Sequence, residues 1–290
     1  MTTKIRNNAL FRKSLALLKQ ASRFVKRQKS VSSDYTESAP ILANSFPKSG
    51  THLLLQCLEQ LPNIKNYGSF IASTPTLTFQ ERSKQDHVKL IRLMVPGELI
   101  PAHLFYHEMY YRELSRKNCI LFFIYRDPRD VAVSEAFYLT FMNRWHRLHR
   151  YYASNLSTMD ERISTAIAGI SKPGFRYNYP NISKRFNRYR GWLNCSDVCS
   201  IKFEDLISEK RHFTLMQLFT FYYKGKENIN KLEELVSEVE KKVSSTKPHT
   251  FRKGIAGEWQ EHFTERHKDQ MKEVAGELLI QLGYEKDLNW

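Results

Sequence analysis

Seven consecutive apolar residues, Cys119-Ile120-Leu121-Phe122-Phe123-Ile124-Tyr125, run straight into Arg126-Asp127-Pro128. A run that is apolar throughout, rather than alternating, reads as a strand covered on both faces. Asp127 then supplies a helix N-cap and Pro128 the first helical position, and Val131, Ser134, Glu135 and Tyr138 continue at helical spacing. The stretch therefore predicts a strand that stops at a cation, with a helix starting beside it. Arg126 at that junction makes an anion site, or pairs structurally with Asp127 or Asp130.

Two further units repeat the pattern. Ile41 to Phe46 is a short apolar run, Pro47-Lys48-Ser49-Gly50 a turn by composition, and Thr51 to Leu61 carries Leu53, Leu54, Cys57, Leu58 and Leu61 at helical spacing before Pro62. Such a tight loop presents backbone N–H groups and the positive end of a helix to an anion, with Gly50 allowing close approach and Lys48 adding a mobile charge. Val198 to Phe203 is a third strand, leading through Glu204-Asp205 into a helix at Leu206, and Leu99 to His103 a short fourth. Strands separated by helices predict a three-layer α/β fold, a central parallel sheet flanked by helices. Ligands of such sheets bind beyond the carboxyl ends of the strands, where Lys48, His103 and Arg126 would all emerge.

Charge narrows the remaining choices. The chain of 290 residues carries 45 Lys plus Arg against 30 Asp plus Glu, a net charge of +15, and nine of those cations fall in residues 1–33, which hold no acid. Leu10, Ser14, Leu17, Leu18, Ala21, Phe24 and Val25 recur there at helical spacing, giving a basic amphipathic stretch. It suits an anionic membrane surface, an organelle transit peptide, or a solvated helix packed on the body. Ser30 to Pro40 reads as linker, so residues 1–40 form a tail and 41–290 the domain. No uncharged apolar run approaches the ~18 residues of a membrane span. Four scattered cysteines, Cys57, Cys119, Cys195 and Cys199, give no disulfide framework and no zinc site, and fit a reducing, cytoplasmic setting.

Phe46-Pro47-Lys48-Ser49-Gly50-Thr51, Tyr125-Arg126-Asp127-Pro128-Arg129-Asp130-Val131-Ala132-Val133-Ser134 and Phe251-Arg252-Lys253-Gly254-Ile255-Ala256-Gly257-Glu258-Trp259 occur in that order. Together they resemble the three signatures of the cytosolic-type sulfotransferases, which use 3′-phosphoadenosine 5′-phosphosulfate (PAPS). The resemblance implies the P-loop-nucleotide-hydrolase-like sulfotransferase fold and no metal. It implies that Lys48, Ser49, Gly50, Thr51 and His52 hold the 5′-phosphosulfate. Arg126 and Ser134 would bind the 3′-phosphate, helped by Arg252, Lys253 and the Gly254 backbone, with Phe203 standing where animal members often have Tyr. Lys48 would neutralise the leaving oxygen, and His103 would be the general base on the acceptor, with His107 the competing choice. Three departures stand out. Pro101 occupies a position often held by Lys, Leu53 one often held by a Trp that stacks on adenine, and the dimer motif is only partly present in Gln260, Thr264 and Asp269, leaving the oligomeric state open.

Phe141 to Trp192 interleaves aromatic and basic residues, among them Trp145, His146, Arg147, Tyr151, Tyr179, Arg185 and Arg188. The resemblance places the pocket for a small-molecule or glycan acceptor here, with arginines available to an anionic acceptor. The same interleaving suits single-stranded nucleic acid, or a solvated basic helix with its aromatics in the core. A nucleotide kinase or triphosphatase is the other rival. Its phosphate loop places Gly before Lys-Ser/Thr, whereas here the order is Lys-Ser-Gly-Thr. The sequence thus favours sulfuryl transfer from PAPS to a hydroxyl or amine, with no nucleic acid partner.

Overall fold

A computed structural model describes residues 9–224, 229–244 and 254–290. Five strands, β1 (Ile41–Ser45), β2 (Ile71–Ala72), β3 (Leu99–His103), β4 (Ile120–Tyr125) and β5 (Val198–Lys202), form one sheet in the order β2-β3-β1-β4-β5. All pairings are parallel. β1 lies at the centre, flanked by the two strands that carry His103 and precede Arg126 at their carboxyl ends. β2 escaped the sequence reading because two residues are too short to show a period.

The sheet is covered on both faces, as the unbroken apolar run of β4 demands. Leu42, Ile100, Ala102, Leu121 and Phe123 point to one side, where they meet α4 (Lys84–Arg92), α5 (Glu108–Ser115), α6 (Pro128–Phe137), α7 (Met159–Ala168), α8 (Ile182–Asn187) and α13 (Glu265–Gln281). Ile41, Ala43, Leu99, Phe122, Ile124 and Ile201 point to the other, against α3 (Thr51–Leu58), α9 (Phe203–Ile207), α10 (Arg211–Tyr223) and α11 (Ile229–Ser244). α3 ends one turn earlier than Pro62 suggests, in backbone turns at Gln60 and Leu61. α12 (Trp259–His262) is a single turn. The four cysteines are free thiols, and no helix among the described residues is long and apolar enough to cross a membrane.

The basic amphipathic stretch is the helix α1 (Ala9–Lys29), and it packs on the body. Arg23 Nε donates to the fully buried Glu98 carboxylate at 2.6 Å, and Arg23 Nη2 to the Leu93 carbonyl at 3.0 Å. Residues 30–40 are more than a tether. They contain the helical turn α2 (Asp34–Glu37), Tyr35 Oη donates to the Met94 carbonyl at 2.9 Å, and the Ser38 carbonyl accepts from Gly97 N–H. Removing Arg23 would strand a buried carboxylate, a change that costs about 3 kcal/mol or more. Arg23→Ala is accordingly expected to lower the urea midpoint of unfolding by that equivalent, and Arg23→Lys to recover part of it.

Candidate active site

At the carboxyl ends of β1, β3 and β4 lies a cavity of about 570 Å³, and its wall gathers residues from all three sequence motifs. Pro47, Lys48, Gly50, Thr51 and His52 come from the first, Arg126 and Ser134 from the second, Gly254 and Glu258 from the third, and His103 from the end of β3. Lys48, His103 and Arg126 thus converge as the strand order requires. Arg252 and Lys253 lie outside the described residues.

The first loop is shaped by two left-handed residues. Gly50 has φ +92°, and a Cβ there would fall 2.4 Å from Phe203 Cδ2, so the loop closes only over a glycine. Lys48 has φ +69°, a conformation unusual for a side chain as long as lysine, and its Nζ lies 3.7 Å from the centre of the Tyr138 ring. Tyr138 opens a π-helical turn, Tyr138–Met142, that continues α6 and brings this ring to the loop. Ser49 is placed differently from its neighbours. It is fully buried off the cavity wall, its N–H bonded to the Phe46 carbonyl and its hydroxyl without a partner among the described residues.

His103 is held by the end of β1. Register places Asn44 opposite Ala102, so Ser45 falls beside His103. His103 Nδ1 lies 3.1 Å from the Ser45 carbonyl and 3.0 Å from its hydroxyl. A carbonyl only accepts, so Nδ1 carries the proton and Nε2 keeps its lone pair. Asn44 fixes the chain just beyond: its Nδ2 donates to the Leu104 carbonyl (2.9 Å) and its Oδ1 accepts from Leu104 N–H (2.8 Å). His107 occupies another setting. It is absent from the cavity wall, and its Nδ1 accepts from Met109 N–H as the cap of α5.

Desolvation drives the His103 imidazole down to about 4, with Lys48 and His52 adding to it against the hydrogen bond to Ser45. The folded protein therefore refuses a proton that the unfolded chain accepts near 6.5. This group lowers stability progressively as pH falls from 6.5 towards about 4, and above 6.5 it is neutral in both states. Titration of the ligand-free protein followed by histidine NMR should place the His103 midpoint near 4; a midpoint at 6.5 would contradict the half-buried, neutral ring.

The second-motif side of the cavity is built around Asp130. Its two carboxylate oxygens accept from Gly257 N–H and Trp259 N–H, both at 2.9 Å, strapping the third motif to the start of α6. Arg126 lies 3.2 Å from the same carboxylate and donates to the Ile255 carbonyl at 2.7 Å. The structural pairing open to Arg126 is thus realised with Asp130, while Asp127 caps α6 and pairs with Arg129 at 2.7 Å. Among the described residues Arg126 Nε is nevertheless buried without a hydrogen-bond partner, and the guanidinium sits 4.6 Å over the Phe203 ring. Glu258, Glu261 and His262 bring ligand-type atoms within 4.8 Å of one another on the third-motif side, the one such grouping among the described residues.

The remaining wall differs from the sequence expectation in its charge. Arg185 pairs with Glu135, and Arg188 donates to Glu81 at 2.7 Å while stacking 3.7 Å over Phe105. These two cations are therefore neutralised, and the wall beyond His103 is set by Phe79, Phe105, His146 and Tyr179. Tyr152, Tyr189 and Trp192 are core residues, and Trp145 is 81% exposed. The roles of Tyr138, Asn44 and Ser45 had no signal in the sequence, because each depends on which strand or loop lies beside it.

The parallel sheet thus carries Lys48, His103 and Arg126 on the wall of one cavity beyond its strand ends. The sulfotransferase domain family matches residues 39–283, and the chain belongs to that family, whose members are enzymes of sulfuryl transfer. The fold is similar to that of mouse sulfotransferase SULT7A1 complexed with PAP, at 20% identity and a TM-score of 0.57 over 83% of this chain and 84% of that one. It is also similar to retinol dehydratase in complex with androsterone and inactive cofactor PAP, at 16% identity and a TM-score of 0.51 over 83% and 80%. No curated protein sequence matches the chain. The P-loop-like sulfotransferase fold is thereby established.

Proposed function

We propose that the enzyme transfers the sulfuryl group of PAPS to a hydroxyl, or an amine, of a small-molecule or glycan acceptor, with His103 as general base and Lys48 at the leaving oxygen. The observation that carries this reading is the joining of Lys48, His103 and Arg126, which follow or end three different strands, in the wall of one cavity. A donor bearing phosphate at opposite corners of one ribose needs two separated cationic sites. Arg126, Ser134 and Gly254, together on the cavity wall, support the 3′-phosphate end. Leu53, Phe203 and Ile207 offer an apolar wall for the purine in place of an aromatic stack from the first helix. The two PAP-bound structural neighbours agree with such a donor.

His103 Nε2 takes the acceptor proton while the acceptor oxygen bonds to sulfur; the bond from sulfur to the 5′-phosphate oxygen breaks, and Lys48 stabilises the electron pair left on that oxygen. The paired state of Arg185 and Arg188 favours an uncharged acceptor over an anionic one. Transfer of ³⁵S from labelled PAPS to a panel of alcohols, phenols, amines and saccharides tests the reading. Labelled product with a neutral hydroxyl compound is the expected result; label that never leaves the donor across the panel, or that requires a nucleoside triphosphate, would contradict it.

A further inference from the structure

We propose that α1 seats the protein on an anionic membrane surface through the stripe formed by Leu17, Leu18, Phe24 and Val25. These side chains are 71, 67, 60 and 51% exposed. On a helix of 3.6 residues per turn they share one face with Ala21, whereas Lys19, Arg23 and Lys26 fall on the opposite face. That polar face is the one that meets the body: all three of its cations are half-buried, Arg23 reaches Glu98, and the adjacent Gln20 donates to the Tyr67 carbonyl at 3.0 Å. A surface helix of a globular protein normally turns its apolar stripe inward. α1 is mounted the other way round, with its polar side docked and its apolar side in water.

Charge selects the occupant. Residues 1–33 carry nine cations and no acid, and the exposed Arg27 and Lys29 flank the stripe. Two copies of the chain meeting stripe to stripe would bring like charges together. A nucleic acid would engage the cations but leave four large apolar side chains in water. An anionic bilayer meets both needs, with the stripe below the headgroups and the flanking cations at the phosphates. The docking points, Leu93 and Glu98, lie at the amino end of β3, and His103 ends the strand at its other end. Attachment therefore leaves the cavity facing away from the membrane, and turnover of a soluble acceptor unchanged.

Co-sedimentation of the full chain with vesicles tests this directly. The protein should pellet with phosphatidylcholine–phosphatidylglycerol vesicles and remain in solution with phosphatidylcholine alone. The double variant Leu18→Ser/Phe24→Ser should bind at least about tenfold more weakly, and Arg27→Glu/Lys29→Glu should show a comparable loss. Because all four side chains are exposed, both variants should keep the parent melting curve, which separates lost binding from lost folding. Failure to pellet with the mixed vesicles would overturn the proposal. So would binding undiminished by the serine variant, which would mean charge alone, or a dimer that the serine variant splits, or capture by duplex DNA in place of vesicles.

Discussion

Replacing His103 by alanine is expected to lower the rate of transfer by about 10²–10⁴-fold, the usual worth of a positioned general base. The expectation rests on geometry before acidity. Nδ1 is committed to the Ser45 carbonyl, so the ring offers Nε2 from the cavity wall as an acceptor with no tautomer change. His103→Gln should fall as far as His103→Ala, because a side-chain amide can hydrogen-bond but cannot take the proton. His107→Ala should remain near the parent rate, since His107 caps α5 away from the cavity. Steady-state kinetics with saturating donor measure both. Near-normal turnover in His103→Ala, with a loss in His107→Ala, would reverse the assignment.

The second large effect belongs to Lys48. Lys48→Ala should lower kcat by about 10²–10³-fold, the magnitude found when one preorganised donor to a developing negative charge is removed. The loop holds Lys48 at φ +69° beside the Tyr138 ring, and Gly50 against Phe203 leaves that loop little room to adjust. kcat and kcat/KM should fall together, the signature of an interaction made in the transition state rather than in the bound ground state. Lys48→Arg should recover little, because a planar fork cannot replace a compact ammonium at this bend. A variant that only raises KM for the donor would assign Lys48 to binding alone.

Much of the site was legible because its chemistry is local. Cys119 to Tyr125, with Arg126, Asp127 and Pro128, encodes a buried strand, a cation and a capped helix within ten residues, and Lys48-Ser49-Gly50-Thr51 encodes a loop and a helix start in four. The parallel sheet that joins them is also legible, since strands separated by helical stretches argue for parallel pairing. What was not legible depends on partners distant in the chain. Asn44 and Ser45 read only as strand residues, yet they hold the His103–Leu104 segment across 58 to 60 positions of sequence. Asp130 reads as a helix-start acid, yet it anchors the third motif 127 and 129 residues away. Arg185 and Arg188 read as available cations until Glu135 and Glu81 are seen beside them. Nor does the periodicity of α1 reveal which of its faces meets the body: the same pattern fits either mounting, and buried Glu98 decides it through Arg23.

The central claim is that a single cavity grips one nucleoside at two phosphate positions. Calorimetric titration with adenosine 3′,5′-bisphosphate, set against ATP and adenosine 5′-phosphate, tests it most directly. The account predicts micromolar binding of the bisphosphate, at least about tenfold weaker binding after Arg126→Ala, and little affinity for the other two nucleotides. Equal affinity for ATP, or bisphosphate binding indifferent to Arg126, would contradict it.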